Sequence, residues 1–268
     1  MANTQDTAKI DSKLPAIILA GSPPDPAIEA AYSVPNRAAV PIAGKMMLEY
    51  IVDALRGASG ISEIRLIGDL QCPGITETVT PPGTLIENLI AGMRASCPGG
   101  KDSHVLVATS DIPMLTSEAV DDFLRRCGDF SADFYYPVIA KSDAETQFPG
   151  MRRTYARLAE GTFTGGNIVV MRAGFVLENA ETIRSVFGAR KSVMRLAGLI
   201  GLPILFRAIM AQYISPRALD LKAIEQTVGR LLHATVKALP TSYAGIGADA
   251  DNVEQIEAFR RILVEKVS

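Results

Sequence analysis

The sequence predicts an α/β fold, a mostly parallel sheet with helices on both faces. Short continuous apolar runs recur, amphipathic helical stretches alternate with them, and turn residues separate the two. Pro15–Ala20 is the first apolar run, closed by Gly21, and reads as a buried strand. A long loop is expected next, because Pro23, Pro24, Pro26, Pro35 and Pro41 crowd it. From Lys45 to Arg56, Met47, Leu48, Ile51, Val52 and Leu55 fall at helical spacing and predict an amphipathic helix. Ile64–Gly68 reads as a second strand, Leu85–Ala95 as a helix and Val105–Thr109 as another buried strand. Thr116 or Ser117 can cap the next helix, whose apolar face holds Val120, Phe123 and Leu124. Strands alternating with helices at this pace imply a sheet covered on both faces.

The second half is less regular. Phe134–Ala140 and Ile168–Arg172 read as strands, and residues 174–229 are mostly helical, broken at Pro203 and Pro216. Ala234–Leu239 reads as a strand, and the last helix is expected from Val253 to about Lys266. No internal repeat or low-complexity linker divides the chain. The expectation is a single domain over 14–268, with a helical insertion at about 174–229, preceded by a polar tail over 1–13.

Of 268 residues, 27 are Lys or Arg and 29 Asp or Glu, a formal net charge of −2, with a pI near 5.8. That balance argues against a nucleic-acid surface, which carries basic excess. Only two histidines, His104 and His233, are present, which leaves little room for histidine-rich metal chemistry. Cys72, Cys97 and Cys127 form neither a CxxC pair nor a zinc spacing, and an odd count suits a reducing compartment. Each reads as a buried structural thiol. The polar first segment has no apolar signal core, and the longest apolar run, Leu196–Phe206, is shorter than the roughly 20 residues of a membrane span. A cytoplasmic protein without a membrane span is expected. For Leu196–Met210 burial ranks first, a partner surface second (leaving a homodimer open), and membrane contact third.

Leu19-Ala-Gly-Ser22 is the turn after the first strand, where glycine lets backbone amides approach phosphates at a strand's carboxyl end. It is not a dinucleotide fingerprint, since no further glycines follow at the required spacing, and Gly44-Lys45 is not a P-loop, since Met46 replaces Ser/Thr. Asp111 stands just past a buried strand, with Pro113 holding Ile112 extended, so its carboxylate is expected in the crevice above the sheet. In Asp249-Ala250-Asp251 the two carboxylates share a face if the segment is extended. Asn252 can cap the last helix with Gln255 as its capping-box partner. Thr164-Gly-Gly-Asn167 reads equally as a turn, and Glu87-Asn88 as a solvated helix start. His104 and His233 lack Cys or His neighbours and receive no catalytic role.

Taken in order, Leu19-Ala-Gly21, Asn36-Arg-Ala-Ala-Val-Pro-Ile-Ala-Gly-Lys45, Met47–Leu55, Thr109-Ser-Asp-Ile-Pro-Met-Leu-Thr116 and Asp249-Ala-Asp-Asn-Val-Glu254 carry a resemblance. The chain resembles the nucleotidyltransferases of GT-A-like fold, the group holding molybdenum-cofactor guanylyltransferase (MobA-like) and sugar-phosphate nucleotidyltransferases. The likeness runs through nearly the whole chain, 174–229 apart. It implies a Rossmann-like mixed, mostly parallel sheet and magnesium-dependent transfer of a nucleoside monophosphate from a nucleoside triphosphate to a phosphorylated small-molecule acceptor, with release of pyrophosphate. It casts Arg37 and Lys45 as catalytic phosphate contacts and Leu19, Ala20, Gly21, Ser22, Glu87 and Asn88 as the nucleotide site. It further casts Asp111, with Asp249 or Asp251, as ligands of Mg²⁺, and Gly165, Gly166 and Asn167 as the acceptor pocket. The family's second glycine is Ser22 here, its loop arginine has no counterpart in Ser22–Pro26, and Arg37 stands where the family has lysine. Two alternatives remain: a nucleotide-binding regulatory module of the same fold without turnover, and a nucleotide-sugar glycosyltransferase. The latter is weakened because the Asp-x-Asp lies late rather than centrally.

Overall fold

In the computed structural model, residues 13–21, 23–97, 100–189 and 202–267 are described. The first apolar run forms β1 (Leu14–Leu19), which pairs in parallel with β4 (Ile61–Ile67) on one side and β6 (His104–Thr109) on the other. β5 (Glu77–Val79) extends the sheet beyond β4, also in parallel. Past β6 the direction alternates. β10 (Ile168–Arg172) runs antiparallel to both β6 and β7 (Phe134–Ala140), and β11 (Val236–Thr241) pairs with β7 in parallel. β9 (Gly161–Gly165) also lies antiparallel to β7 and carries the short partner β8 (Ala156–Leu158). β9 and β10 are therefore one antiparallel run against β7 whose register slips at a bulge, Gly166-Asn167. The result is a nine-stranded, mixed and mostly parallel sheet among the described residues.

Both faces are covered, as the alternation requires. On one, α2 (Met47–Gly57), α4 (Ser117–Cys127) and α10 (Val253–Val267) bury Met47, Ile51, Leu55, Phe123 and Phe259 completely. On the other, α3 (Leu85–Ser96), α6 (Ala173–Glu178), α7 (Ala180–Ala189) and α9 (Leu221–Leu232) pack Met93, Phe175, Val176 and Leu232 over Ile17 and Val105. Thr116 caps α4, its hydroxyl accepting from the Ala119 amide at 3.3 Å.

Several expectations are corrected. The proline-rich loop contains a helix, α1 (Pro26–Tyr32), because Asp25 caps it (Ala27 N–H to Oδ1, 2.9 Å) and Pro26 sits in the first turn, where no donor is needed. The second helix starts at Met47 rather than Lys45. Ala43 and Gly44, both at positive φ, close a tight hairpin between β2 (Pro41–Ile42) and β3 (Lys45–Met46), which holds Lys45 extended. Pro203 lies within the first turn of α8 (Leu202–Tyr213) instead of breaking a helix, while Pro216 opens a short 3₁₀ turn. The strand expected at Ala234–Leu239 lies at Val236–Thr241. β5, β8, β9 and α5 (Lys141–Gln147) are too short for periodicity to reveal.

Burial of the apolar stretch is met only in part over its described residues: Ile204 and Ala208 are half-buried against a small cluster with Leu158 and Leu219, while Phe206 and Ile209 are exposed. Residues 196–201 of that stretch, and residues 1–12 of the polar tail, lie outside the described residues. Cys127 is buried, whereas Cys72 and Cys97 are only partly so. No helix among the described residues is long and apolar enough to cross a membrane.

Candidate active site

The carboxyl ends of β1, β6 and β7, together with the bulge before β10, meet at one edge of the sheet. Gly21 follows β1 under severe constraint: a Cβ there would stand 2.5 Å from Asn88 Nδ2 and 2.7 Å from Pro81 Cβ. Only glycine fits this close approach. Asn88 is buried and its Oδ1 accepts the Gly83 amide at 3.2 Å. Asn36 ties the next segment to the same turn, donating to Ala20 O at 2.5 Å while capping the Arg37–Ala39 turn through the Ala38 amide at 2.9 Å. These bonds aim Arg37 across the crevice.

Arg37 meets two carboxylates: its Nη1 lies 2.8 Å from Asp251 Oδ1 and its Nη2 lies 3.4 Å from Asp111 Oδ2. Asp111 is 14 % exposed in its side chain, and its Oδ1 is buried without a partner. The late acidic segment docks against it by backbone, with the Ala250 amide donating to Asp111 O at 2.8 Å. Asp249 carries the largest electrostatic penalty: burial first, then the neighbouring Asp251 and Asp111, push its carboxyl up to about 7. Asp111 and Asp251 thus share the Arg37 guanidinium, while Asp249 lies within electrostatic reach of Arg153. Asn252 caps the last helix through the Gln255 amide at 2.9 Å. The Gln255 side chain accepts from Asp251 N, one residue earlier than a reciprocal capping box requires.

Beyond Asp249 opens a cavity of about 550 Å³, lined by Tyr136, Arg152, Arg153, Thr164, Gly165, Gly166, Asn167, Gly247, Asp251 and Gln255 among others. The bulge is anchored on three sides, by Gly166 N–H to Pro137 O (3.0 Å), Asn167 N–H to Ile246 O (2.9 Å) and Thr109 N–H to Asn167 O (3.1 Å). Arg153 donates to Gly247 O, with its guanidinium carbon 5.9 Å from the Phe148 ring centre.

The expected residues divide accordingly. Gly21, Asn88, Arg37, Asp111, Asp249, Asp251 and Gly165–Asn167 are gathered at this edge. Lys45 is not: it pairs with Asp53 at 2.8 Å on the exposed side of the ribbon. Glu87 is not either, because its carboxylate completes the Thr84 capping box of α3 and lies half-exposed, 3.9 Å from Arg184 Nε. Ala20 is buried, and Leu19 lines an apolar cavity of about 240 Å³ with Thr109, Val169 and Phe187, which abuts the site at Gly166 and Asn167. Ser22 lies outside the described residues. His104 is buried with Nε2 2.8 Å from Ala132 O, and His233 terminates α9 in a left-handed conformation. Sequence reasoning missed Arg152, Arg153 and Tyr136. The tandem arginine after Pro149-Gly150 is the one signal that could have raised them. Among the described residues no three of His, Cys, Asp and Glu already stand as a ligand shell for one ion.

The sequence pattern of the MobA-like NTP transferase domain matches residues 16–220. A solved hypothetical transferase from Thermus thermophilus is 34 % identical, superposes with a TM-score of 0.81, and is matched over 91 % of this chain and 99 % of its own. A CMP:2-keto-3-deoxy-manno-octonic acid synthetase complexed with CTP aligns over 95 % of this chain and 99 % of its own, at 14 % identity and a TM-score of 0.56. A 4-diphosphocytidyl-2C-methyl-D-erythritol synthase from Anaerococcus prevotii aligns over 95 % and 96 %, at 12 % identity and a TM-score of 0.53. At such identities these two share the fold alone. No curated protein matches the chain.

Proposed function

The chain belongs to the MobA-like NTP transferase family, and from that premise we propose that it is a magnesium-dependent nucleotidyltransferase acting on a nucleoside triphosphate and a phosphorylated small-molecule acceptor. The observation that carries this reading is the acid cluster at the sheet edge. Asp111 keeps a buried carboxylate oxygen without a partner, and Asp249 is crowded by burial and by the neighbouring Asp251 and Asp111. Oxygen donors in this number fit a hard divalent ion, which takes one or two carboxylates and leaves its other positions to phosphates and water. Asp111 and Asp249 would hold Mg²⁺, which supplies neutralisation and alignment of the triphosphate oxygens. Asp251 is the poorer donor, since it is more than half exposed and already bonded to Arg37.

The remaining work falls to the chain's own groups. The Gly21 turn, braced by Asn88 and Asn36, receives the nucleotide. Arg37, hinged between Asp111 and Asp251, turns its remaining donors to the phosphates. An oxygen of the acceptor phosphate attacks the α-phosphorus. The new O–P bond forms as the bond to the bridging oxygen breaks, and pyrophosphate leaves with that electron pair. The attacking oxygen is already anionic, so no general base is required and the scarcity of histidine is no obstacle. The Gly165–Asn167 bulge borders the acceptor.

The test is calorimetry of a triphosphate panel with and without Mg²⁺, on the native protein and Asp111→Asn. Magnesium-dependent binding that the variant loses is expected. Equal affinity in both removes Asp111 from the site. Binding without pyrophosphate release across sugar, polyol and pterin phosphates would favour the regulatory module.

A further inference from the structure

We infer that Arg153, with Arg152 beside it, forms an anion subsite that takes the phosphate monoester of the acceptor, on the opposite side of the acid cluster from the nucleotide turn. The inference rests on the nucleotidyltransferase reading and adds a binding residue to it. A guanidinium presents five N–H donors in a fixed planar fork. In Arg153 one nitrogen, Nη1, is satisfied by Gly247 O, while Nε and Nη2 are buried and have no hydrogen-bond partner. A buried donor left unpaired is unfavourable unless a ligand completes it, and a tetrahedral oxyanion matches two parallel donors. Among the described residues no carboxylate forms an ion pair with Arg153. Burial works against its charge and Asp249 works for it. The neighbourhood is shaped to keep the fork in place: a Cβ on residue 247 would fall 2.8 Å from Gly165 O and 3.0 Å from Arg153 Nη1.

Other cations near the site are committed elsewhere. Arg37 bridges Asp111 and Asp251, and Lys45 faces Asp53. Arg152 and Arg153 are the basic residues lining the 550 Å³ cavity. The direction of approach follows from the sheet. Gly21 and Asn88 lie over β1, Asp111 follows β6, and the arginine cavity lies over β7 and the β9–β10 bulge, so the acids stand between the two. In-line displacement requires the nucleophile and the leaving pyrophosphate on opposite sides of the α-phosphorus. Arg153 is placed to hold the former.

The chemistry recognised, a phosphoryl dianion, could also belong to the triphosphate, and the experiment separates the sources. Inorganic phosphate is titrated calorimetrically into the full chain, alone and after saturation with an α,β-methylene triphosphate analogue in Mg²⁺. The native protein, Arg153→Gln and Arg153→Lys are compared. Phosphate binding should persist in the saturated protein and weaken by about 10-fold or more in Arg153→Gln. Arg153→Lys, which keeps the charge and loses the fork, should lose most of that factor, while analogue affinity stays within about 2-fold in both variants. Competition between phosphate and analogue, or analogue affinity falling in step with phosphate affinity, would assign the fork to the triphosphate and overturn the proposal. Phosphate binding unchanged in Arg153→Gln, or absent from a protein that binds the analogue, overturns it and leaves the enzymatic reading intact. If the analogue fails to bind the native protein, both fall.

Discussion

Asp249→Asn should make the apo protein more stable, and only above mild acidity. The substitution keeps size and removes the one charge that burial, Asp251 and Asp111 all oppose. An aspartate ordinarily titrates near 3.8, and here folding raises that to about 7. The folded state therefore holds a proton that the unfolded chain releases across that interval. The stability this proton contributes is fully present below the unfolded value and is lost as pH rises through the folded one. Each pH unit inside the window is worth about 1.4 kcal/mol. The native protein thus forfeits about 3 kcal/mol between pH 5 and pH 8, which the asparagine variant does not. Urea unfolding in chelator at both pH values measures it. The gain from Asp249→Asn should be about 3 kcal/mol larger at pH 8 than at pH 5, and the same variant should lose magnesium-dependent triphosphate binding. A gain independent of pH would refute the electrostatic account of the cluster.

Arg37→Ala should lower pyrophosphate release by roughly 10- to 150-fold, the value of one charged hydrogen bond to a phosphate of about 1.5–3 kcal/mol. Turnover left unchanged would remove Arg37 from the phosphate site. Gly21→Ala drives a Cβ to 2.5 Å from Asn88 Nδ2, so triphosphate affinity measured by calorimetry should drop at least about 10-fold with stability reduced by about 1–3 kcal/mol. Lys45→Ala breaks an exposed pair with Asp53 and a contact with the Tyr50 ring; unfolding free energy should move by less than about 1 kcal/mol and turnover should hold. A large loss of turnover there would mean that Lys45 swings to the substrate.

The parts of this molecule that sequence makes legible are those where a single periodicity dominates. Met47, Leu48, Ile51, Val52 and Leu55 repeat at helical spacing and all are fully buried. The run ending at Thr109 is a central strand, and Asp111 follows it into the crevice. The α1 helix was hidden because proline density reads as loop, although Asp25 followed by Pro26 is also a helix-start signal. Glu87 carries a second signal that sequence also shows: it completes a Thr–x–x–Glu capping box, and Arg184 stands 3.9 Å from its carboxylate. For Arg153 the sequence offers only a tandem arginine, since its fixed position arises when its loop reaches Gly247, 94 positions away. Exposure of Phe206 and Ile209 was beyond reach, because hydrophobicity names a preference for burial but not the neighbour that supplies it.

Arg37 and Asp251 lie 214 positions apart, so the crevice is a seam between the beginning and the end of the described chain. The parallel strands can form their ladders without that seam being closed. Loss of α10 from its seat would part Asp251 from Arg37 while leaving β1, β4 and β6 zipped together. The Ala250 amide, whose proton is held by Asp111 O, is then a single-atom gauge of whether the two ends are joined. Its hydrogen exchange should be faster than that of β1 in the empty protein and should slow to the global rate when nucleotide clamps the seam.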